Sequence, residues 1–302
     1  MATLDFIKMH GCGNDYIYVV ADRVRPADPA ALARRLSDRH FGIGADGLIM
    51  LVPSDRAAVR MEMYNADGSR GDMCGNGIRC VARLAYERSP SVGNPIAIET
   101  DVGVMRVALN FDNGRLAARV DMGEPILEGR EIPAAADGRI INYPLEVAGR
   151  VVPITAVSMG NPHCVVFLDD DSVLRLPDSE FAALGRPFEN HPFFPRRVNA
   201  EFVLVESRDR IRMRVYERGS GETLACGTGA CAVLVAAVLT GRAARHAAVE
   251  LRGGTLDVEW REGGASDNHV FMTGEAVEVF RGAIELSADE LVPASPRGGQ
   301  QQ

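Results

Sequence analysis

Two stretches, Val59-Arg-Met-Glu-Met-Tyr64 and Ile211-Arg-Met-Arg-Val-Tyr216, alternate apolar and polar residues with a period of two. That spacing puts one face of a strand in a core and the other toward water. Each is followed by a loop, a Cys-Gly-x-Gly segment and an apolar run. The second run, Ala230 to Leu239, is apolar on every side and stops before Gly241, which predicts a buried helix with a glycine end; Ile78 to Glu87 is its counterpart. Pro29 to His40 reads as an exposed amphipathic helix with Asp28 as N-cap, Pro29 at its first position and Gly42 beyond its end. Further strands are expected at Pro95–Glu99, Val104–Leu109, Arg115–Asp121, Phe202–Glu206, Val249–Leu251, Thr255–Trp260 and Val270–Thr273, so sheets dominate.

The repeated order is an internal duplication. Shifting the sequence by 226 − 74 = 152 positions sets Arg60, Met61, Tyr64, Cys74, Gly75, Gly77, Val81 and Ala85 on Arg212, Met213, Tyr216, Cys226, Gly227, Gly229, Val233 and Ala237 without a gap. A shift of 147 sets Gly13-Asn14 and the strand after it on Gly160-Asn161 and the segment after it. The halves change near Met122-Gly-Glu-Pro125. The expected domains are therefore 1–121, completed by 276–288, and 122–275, with 289–302, rich in Pro, Gly and Gln at its end, as a disordered tail.

Composition narrows the function. No stretch approaches the roughly 18 uninterrupted apolar residues of a membrane span, and Met1 to Lys8 does not resemble a secretory leader, so a cytoplasmic protein is expected. A net charge of −8 with no long basic run argues against nucleic acid and for a small-molecule partner. Lys8 is the single lysine. It lies in a strand-like pattern and makes a poor Schiff-base residue, and no dinucleotide or phosphate loop is present, so no cofactor is expected. The six cysteines read as free thiols, because their spacing suits neither a disulfide framework nor a zinc site; no metal is expected.

Two of those thiols, Cys74 and Cys226, occupy the same place in each half, at a glycine-rich loop entering a helix. Inverting a stereocentre with an acidic C–H requires a base on one face and an acid on the other. Halves packed with approximate two-fold symmetry around a cleft would supply such a pair, one thiolate and one thiol. A helix N-terminus favours negative charge and is expected to lower a thiol pKa, and its N–H groups can hold a carboxylate.

The motifs Asn65-Ala-Asp-Gly68, Met73-Cys-Gly-Asn-Gly-Ile-Arg-Cys80, Gly160-Asn-Pro-His163, Val198-Asn-Ala-Glu-Phe202 and Tyr216 to Cys231, in that order, closely resemble the diaminopimelate epimerase family. The likeness runs from Phe6 to Gly274. It implies an α+β fold of two pseudo-symmetric domains, each a mixed β-sheet or barrel wrapped around a central α-helix. It also implies interconversion of LL- and meso-diaminopimelate in lysine biosynthesis, without a cofactor, by a homodimer. Carried over, Cys74 and Cys226 would be proton donor and acceptor, with His163 and Glu217 orienting the α-amino group and readying the thiols. Asn14, Asn65, Asn161, Asn199, Glu217 and Arg218 would grip the distal group. Backbone of Gly75, Asn76, Gly227 and Thr228 would hold the reacting carboxylate.

The chain departs from the family at Gly47, where many relatives carry Gln, and at Phe271, in the place of a dimer-contact tyrosine. Pro177 to Arg197, rich in Pro and Phe, reads as an altered loop. A proline or hydroxyproline racemase of the same fold would keep both cysteines without needing Asn199, Glu217 and Arg218. A non-catalytic amino-acid-binding protein would be expected to have lost one cysteine, and a redox switch would leave the matched glycines unexplained.

Overall fold

The computed structural model describes residues 2–71, 73–112, 115–263 and 267–294. The backbone divides into two compact units: residues up to Val120 together with those from Gly274 on, and Asp121–Thr273.

In the first unit Ala2–Gly11 pairs antiparallel with Asn14–Val20 and with Val277–Leu286. The ladder continues from Asn14–Val20 parallel to Gly47–Val52, antiparallel to Val59–Asn65, parallel to Ile96–Thr100, then antiparallel through Gly103–Asp112 to Arg115–Asp121. In the second unit Arg150–Ser158, Pro162–Phe167, Asn199–Ser207, Arg210–Glu217, His246–Leu251, Gly254–Trp260 and Val270–Glu275 repeat the same succession of antiparallel and parallel pairings. The duplication read from 152-residue spacing is thus a duplication of sheet topology.

Four α-helices lie among the described residues: α1 (Pro29–Ser37), α2 (Gly75–Arg88), α3 (Asp178–Glu189) and α4 (Gly227–Leu239). Helix α2 is the central helix of the first unit, touching strands from Ala2–Gly11 round to Gly103–Asp112, and α4 is that of the second. The uniform apolarity of α4 follows from this position, since Gly229 through Ala237 are all buried. Neither α4 nor any other described helix is long and apolar enough to cross a membrane.

Helix α1 packs Leu32, Ala33 and Leu36 against Ile17, Val19, Leu48 and Met50, and its Asp28 cap accepts from the Ala31 N–H at 2.9 Å. It ends at Ser37 instead of His40, because Asp38 turns out of helical geometry and its carboxylate accepts the His40 and Phe41 N–H groups.

Two other expectations change. The segment expected as a loop from Pro177 is largely helix α3. Phe181, Gly185 and Phe188 recur at helical spacing and are buried, Asp178 and Glu180 suit the positive end of the dipole, and both phenyl rings meet Phe202 edge-on at 5.4 and 5.3 Å. Pro187 falls in the final turn. The tail expected from residue 289 on is ordered as far as Pro293: Ser287 and Glu290 form a reciprocal capping box, and Leu291–Pro293 pairs with Val24–Pro26. Backbone hydrogen bonding outweighs the weak local propensity there. The rest of that tail, from Ser295, lies outside the described residues.

Candidate active site

Both conspicuous cysteines are helix N-caps. Cys74 precedes α2 and Cys226 precedes α4, each with extended backbone, and each sulfur accepts the N–H three residues on, from Gly77 and Gly229, at 3.3 Å. Helix starts leave N–H groups without intrahelical partners, so each thiol sits at a ready anion site. Cys12, Cys80 and Cys164 are buried free thiols, and Cys231 is buried as well.

In the first unit the Cys74 thiol donates to Asn14 Oδ1 at 3.2 Å, and Asn76 Nδ2 lies 3.5 Å from the same oxygen. Asn14 is oriented from behind by Asp46, whose Oδ2 accepts from Asn14 Nδ2 at 2.7 Å and from the Asp15 N–H at 3.1 Å. Asp15 forms a pair with Lys8 at 2.6 Å and with Arg39 at 2.7 Å. The single lysine, buried and also bonded to the Gly44 carbonyl, thus anchors the strand that carries Asn14. Asn65 is the one predicted residue of this half turned elsewhere: its amide donates to Ser69 Oγ at 2.9 Å and closes a turn.

Gly47, the departure noted above, faces the backbone. A Cβ there would lie 2.2 Å from the Tyr64 carbonyl oxygen and 2.9 Å from the Tyr16 ring. The paired strand therefore fills the space that a longer residue would use.

In the second unit His163, fully buried, places Nδ1 2.6 Å from Glu201 Oε1 and Nε2 3.0 Å from Asn161 Oδ1. Asn199, directly across the parallel ladder from His163, accepts the Arg218 N–H at 2.8 Å and so fixes the turn after Glu217. The Glu217 carboxylate accepts from Thr223 Oγ1 and lies close enough to Cys226 to feel its thiol, whose sulfur is 3.4 Å from Thr228 Oγ1. The Arg218 side chain is exposed and reaches the Arg196 carbonyl at 3.3 Å.

Burial raises both thiols above their ordinary pKa, which reverses the expectation drawn from helix N-termini alone. For Cys74 the N–H groups of Gly77 and Asn76, then Arg79 and Tyr16, pull back toward the thiolate without overcoming desolvation. For Cys226 burial is reinforced by the negative charges of Glu217 and Glu201, and only Thr228 and Gly229 oppose it, so its thiol is held well above the ordinary value. Burial also raises the Glu217 carboxyl, against the opposing effects of Thr223, Cys226 and His163. The duplicated thiols therefore sit in unlike fields.

Among the contributors not singled out from sequence are Tyr16, Asp46 and Glu201. Tyr16 and Asp46 belong to ordinary-looking strand and loop patterns. Glu201 had a visible signal, the lone carboxylate in the otherwise apolar run from Ala200 to Val205, a strand whose first residues are buried throughout.

The family model described as diaminopimelate epimerase matches residues 6–128 and 155–279, a span that includes every residue of both half-sites. The chain belongs to the diaminopimelate epimerase family. It is 51% identical over 287 residues to the diaminopimelate epimerase of Desulfovibrio desulfuricans, covering 92% of this chain and 97% of that one. It is 50% identical to that of Moorella thermoacetica, covering 94% and 100%. As a member of this family it is an isomerase of the epimerase class. Among solved structures, a phenazine biosynthesis protein of the PhzF family from Bacillus anthracis superimposes with a TM-score of 0.67 at 16% identity over 95% of this chain and all of that one. A hydroxyproline epimerase from Agrobacterium vitis does so with 0.64 at 14% identity, covering 94% and 91%. At that identity the likeness is one of fold, the α+β arrangement of two similar domains around central helices expected from the sequence.

Proposed function

We propose that this protein interconverts LL-2,6-diaminopimelate and meso-2,6-diaminopimelate without an organic cofactor, as a step of lysine biosynthesis in the cytoplasm, with Cys74 and Cys226 as the proton-transferring pair. The observation that carries the reading is the matched setting of the two sulfurs, each an N-cap within reach of helix N–H groups and of polar side chains that one substrate's charged ends require.

A thiolate on one side takes the α-proton and becomes a thiol, while the thiol on the other side gives its proton to the opposite face and becomes the thiolate. In the reverse direction the roles exchange. The developing negative charge on the carbon spreads into the adjacent carboxylate, which the N–H groups of Gly75, Asn76, Gly227 and Thr228 would stabilise. His163 and Glu217 would orient the α-amino group, and Asn14, Asn65, Asn161, Asn199 and Arg218 would hold the distal ammonium and carboxylate. Since burial favours the protonated thiols, the substrate's own charge must help to form the working thiolate. The unit of function would be a homodimer. Phe271, stacked under Arg261 at 4.4 Å, keeps a ring but no hydroxyl at the expected contact, and light scattering of the purified chain tests the assembly.

The deciding experiment incubates the reduced protein with LL-diaminopimelate in deuterium oxide, with proline as control, and repeats it with Cys74→Ala and Cys226→Ala. Formation of the meso isomer with deuterium at the α-carbon, abolished by either substitution and absent for proline, is expected. Inversion of proline with diaminopimelate untouched would move the substrate to a racemase reading. No inversion of either would sink the enzymatic reading.

A further inference from the structure

The two halves differ at one buried position beside the thiol helix. In the first unit a Cβ on Gly77 would meet Ile49 Cδ1 at 2.6 Å, whereas in the second a Cβ on Gly229 would meet Glu201 Oε1 at 3.0 Å. Ladder register makes Ile49 and Glu201 counterparts: Gly47 lies opposite Tyr16, Asn199 lies opposite His163, and each counterpart is two residues further along its strand. The duplication therefore carries Tyr16 and Ile49 in one half and His163 and Glu201 in the other.

A carboxylate in place of an isoleucine demands compensation. Glu201 is fully buried, and its Oε2 meets no donor among the described residues, so its charge is offset through Oε1 alone. That oxygen faces His163 Nδ1 at 2.6 Å. The other ring nitrogen, Nε2, faces an acceptor, Asn161 Oδ1, at 3.0 Å. Asn199 Nδ2, its oxygen engaged by the Arg218 N–H, also lies 3.5 Å from Nδ1, but the nearest partner of each ring nitrogen is an acceptor. That matches an imidazolium, which donates from both; a neutral ring would need the Asn161 amide turned over or the shared proton placed on Glu201. Glu217, two strands away in the ladder, feels the charge of this ring, while Cys226 at the start of α4 and Cys164, next to His163 along its own strand, both feel the charge of Glu201.

We propose that Glu201 is a positioning residue of the Cys226 half-site, holding His163 as an imidazolium with Nδ1–H on Glu201 and Nε2–H on Asn161. The fixed positive charge lies beside Glu217 and favours its ionised form, so that Glu217 can receive an ammonium group. Among the described residues the first unit holds no such ion pair at the corresponding place. The inference about turnover rests on the epimerase reading above; the inference about His163 does not.

The test uses Glu201→Gln and Glu201→Asp in the full chain. Gln keeps the length, and its amide oxygen still accepts Nδ1–H, so only the charge is removed. Two-bond 1H–15N NMR of the imidazole rings, with His163→Gln identifying the signal, should show both His163 nitrogens protonated in the wild type across the range of activity. In Glu201→Gln the Nε2 proton should leave at distinctly lower pH, and Glu201→Asp should restore part of the difference. With diaminopimelate as probe, kcat should fall about tenfold or more in Glu201→Gln, with a smaller change in KM and a displaced acid limb of the pH profile. A neutral His163 in the wild type at neutral pH overturns the proposal. So does a Glu201→Gln protein that folds and titrates like the wild type. If neither protein turns over diaminopimelate but the ring nitrogens behave as stated, the ion pair stands and the epimerase reading falls.

Discussion

Replacing Gly47 by alanine tests whether the backbone, and no lost side chain, explains glycine at that position. The added Cβ would lie 2.2 Å from the Tyr64 carbonyl oxygen, against ordinary contact near 3.4 Å, so the two strands must separate by 3.4 − 2.2 = 1.2 Å at Gly47 and Asn65, which are register partners. A ladder bond of about 2.9 Å stretched by about that much is no longer a hydrogen bond. Losing one such bond costs about 1 kcal/mol, and forcing a methyl into a filled site adds about 1–3 kcal/mol. The sum is about 2–4 kcal/mol. At about 2–4 °C per kcal/mol for a unit of this size, the first thermal transition should drop by about 5–15 °C in scanning calorimetry, with a matching loss in urea midpoint. Because Gly47 also abuts the Tyr16 ring and adjoins Asp46, which orients Asn14, activity should fall further than the unfolded fraction accounts for. A change under about 1 kcal/mol would refute the steric argument, and a tolerated Gly47→Gln would refute it more strongly.

Other perturbations probe the charges around the two thiols. Lys8→Met should leave half-buried Asp15 paired with Arg39 alone, at a cost of about 1–3 kcal/mol at neutral pH. Hydrogen bonds and charge from Arg39 and Lys8 outweigh burial and hold Asp15 below its ordinary pKa, so its contribution exists above the unfolded value and is lost as pH falls through the folded one. The destabilisation measured in urea should accordingly shrink in acid; a deficit independent of pH would contradict the pairing. For Glu217 the sign is opposite. Burial raises its carboxyl, so folded-state stability drops as pH rises through the unfolded value and beyond, and Glu217→Gln should gain stability relative to the wild type at neutral pH but not near pH 4, while losing turnover. Equal unfolding curves at both pH values would count against it. Finally, iodoacetamide labelling followed by mass spectrometry should find Cys74 more reactive than Cys226 at neutral pH, and Glu217→Gln should speed modification of Cys226 by removing the adjacent negative charge. An unchanged Cys226 rate would show that burial alone governs that thiol.

Much of this protein is local in origin, and local patterns are legible in a sequence. Period-two alternation marked Val59–Tyr64 and Ile211–Tyr216, and an all-apolar run ending in glycine marked α4, because strands and buried helices dictate side-chain direction residue by residue. The duplication announced two equivalent thiols because copied segments keep their spacing. Helix α3 and the ordered strand Leu291–Pro293 were missed for one reason: proline-rich, weakly patterned stretches are held by partners distant in the chain, Phe202 in one case and Val24–Pro26 in the other. The electrostatics were likewise tertiary. A helix start favours a thiolate, and that much is written in Cys-Gly-x-Gly. How far burial, Glu217 and Glu201 outweigh it depends on what packs within a few ångströms, where desolvation and Coulomb energies change steeply with distance. Residue pattern alone specified which atoms could do chemistry and in which elements they lie; the fold set their protonation, and with it how the two copies of one motif came to differ.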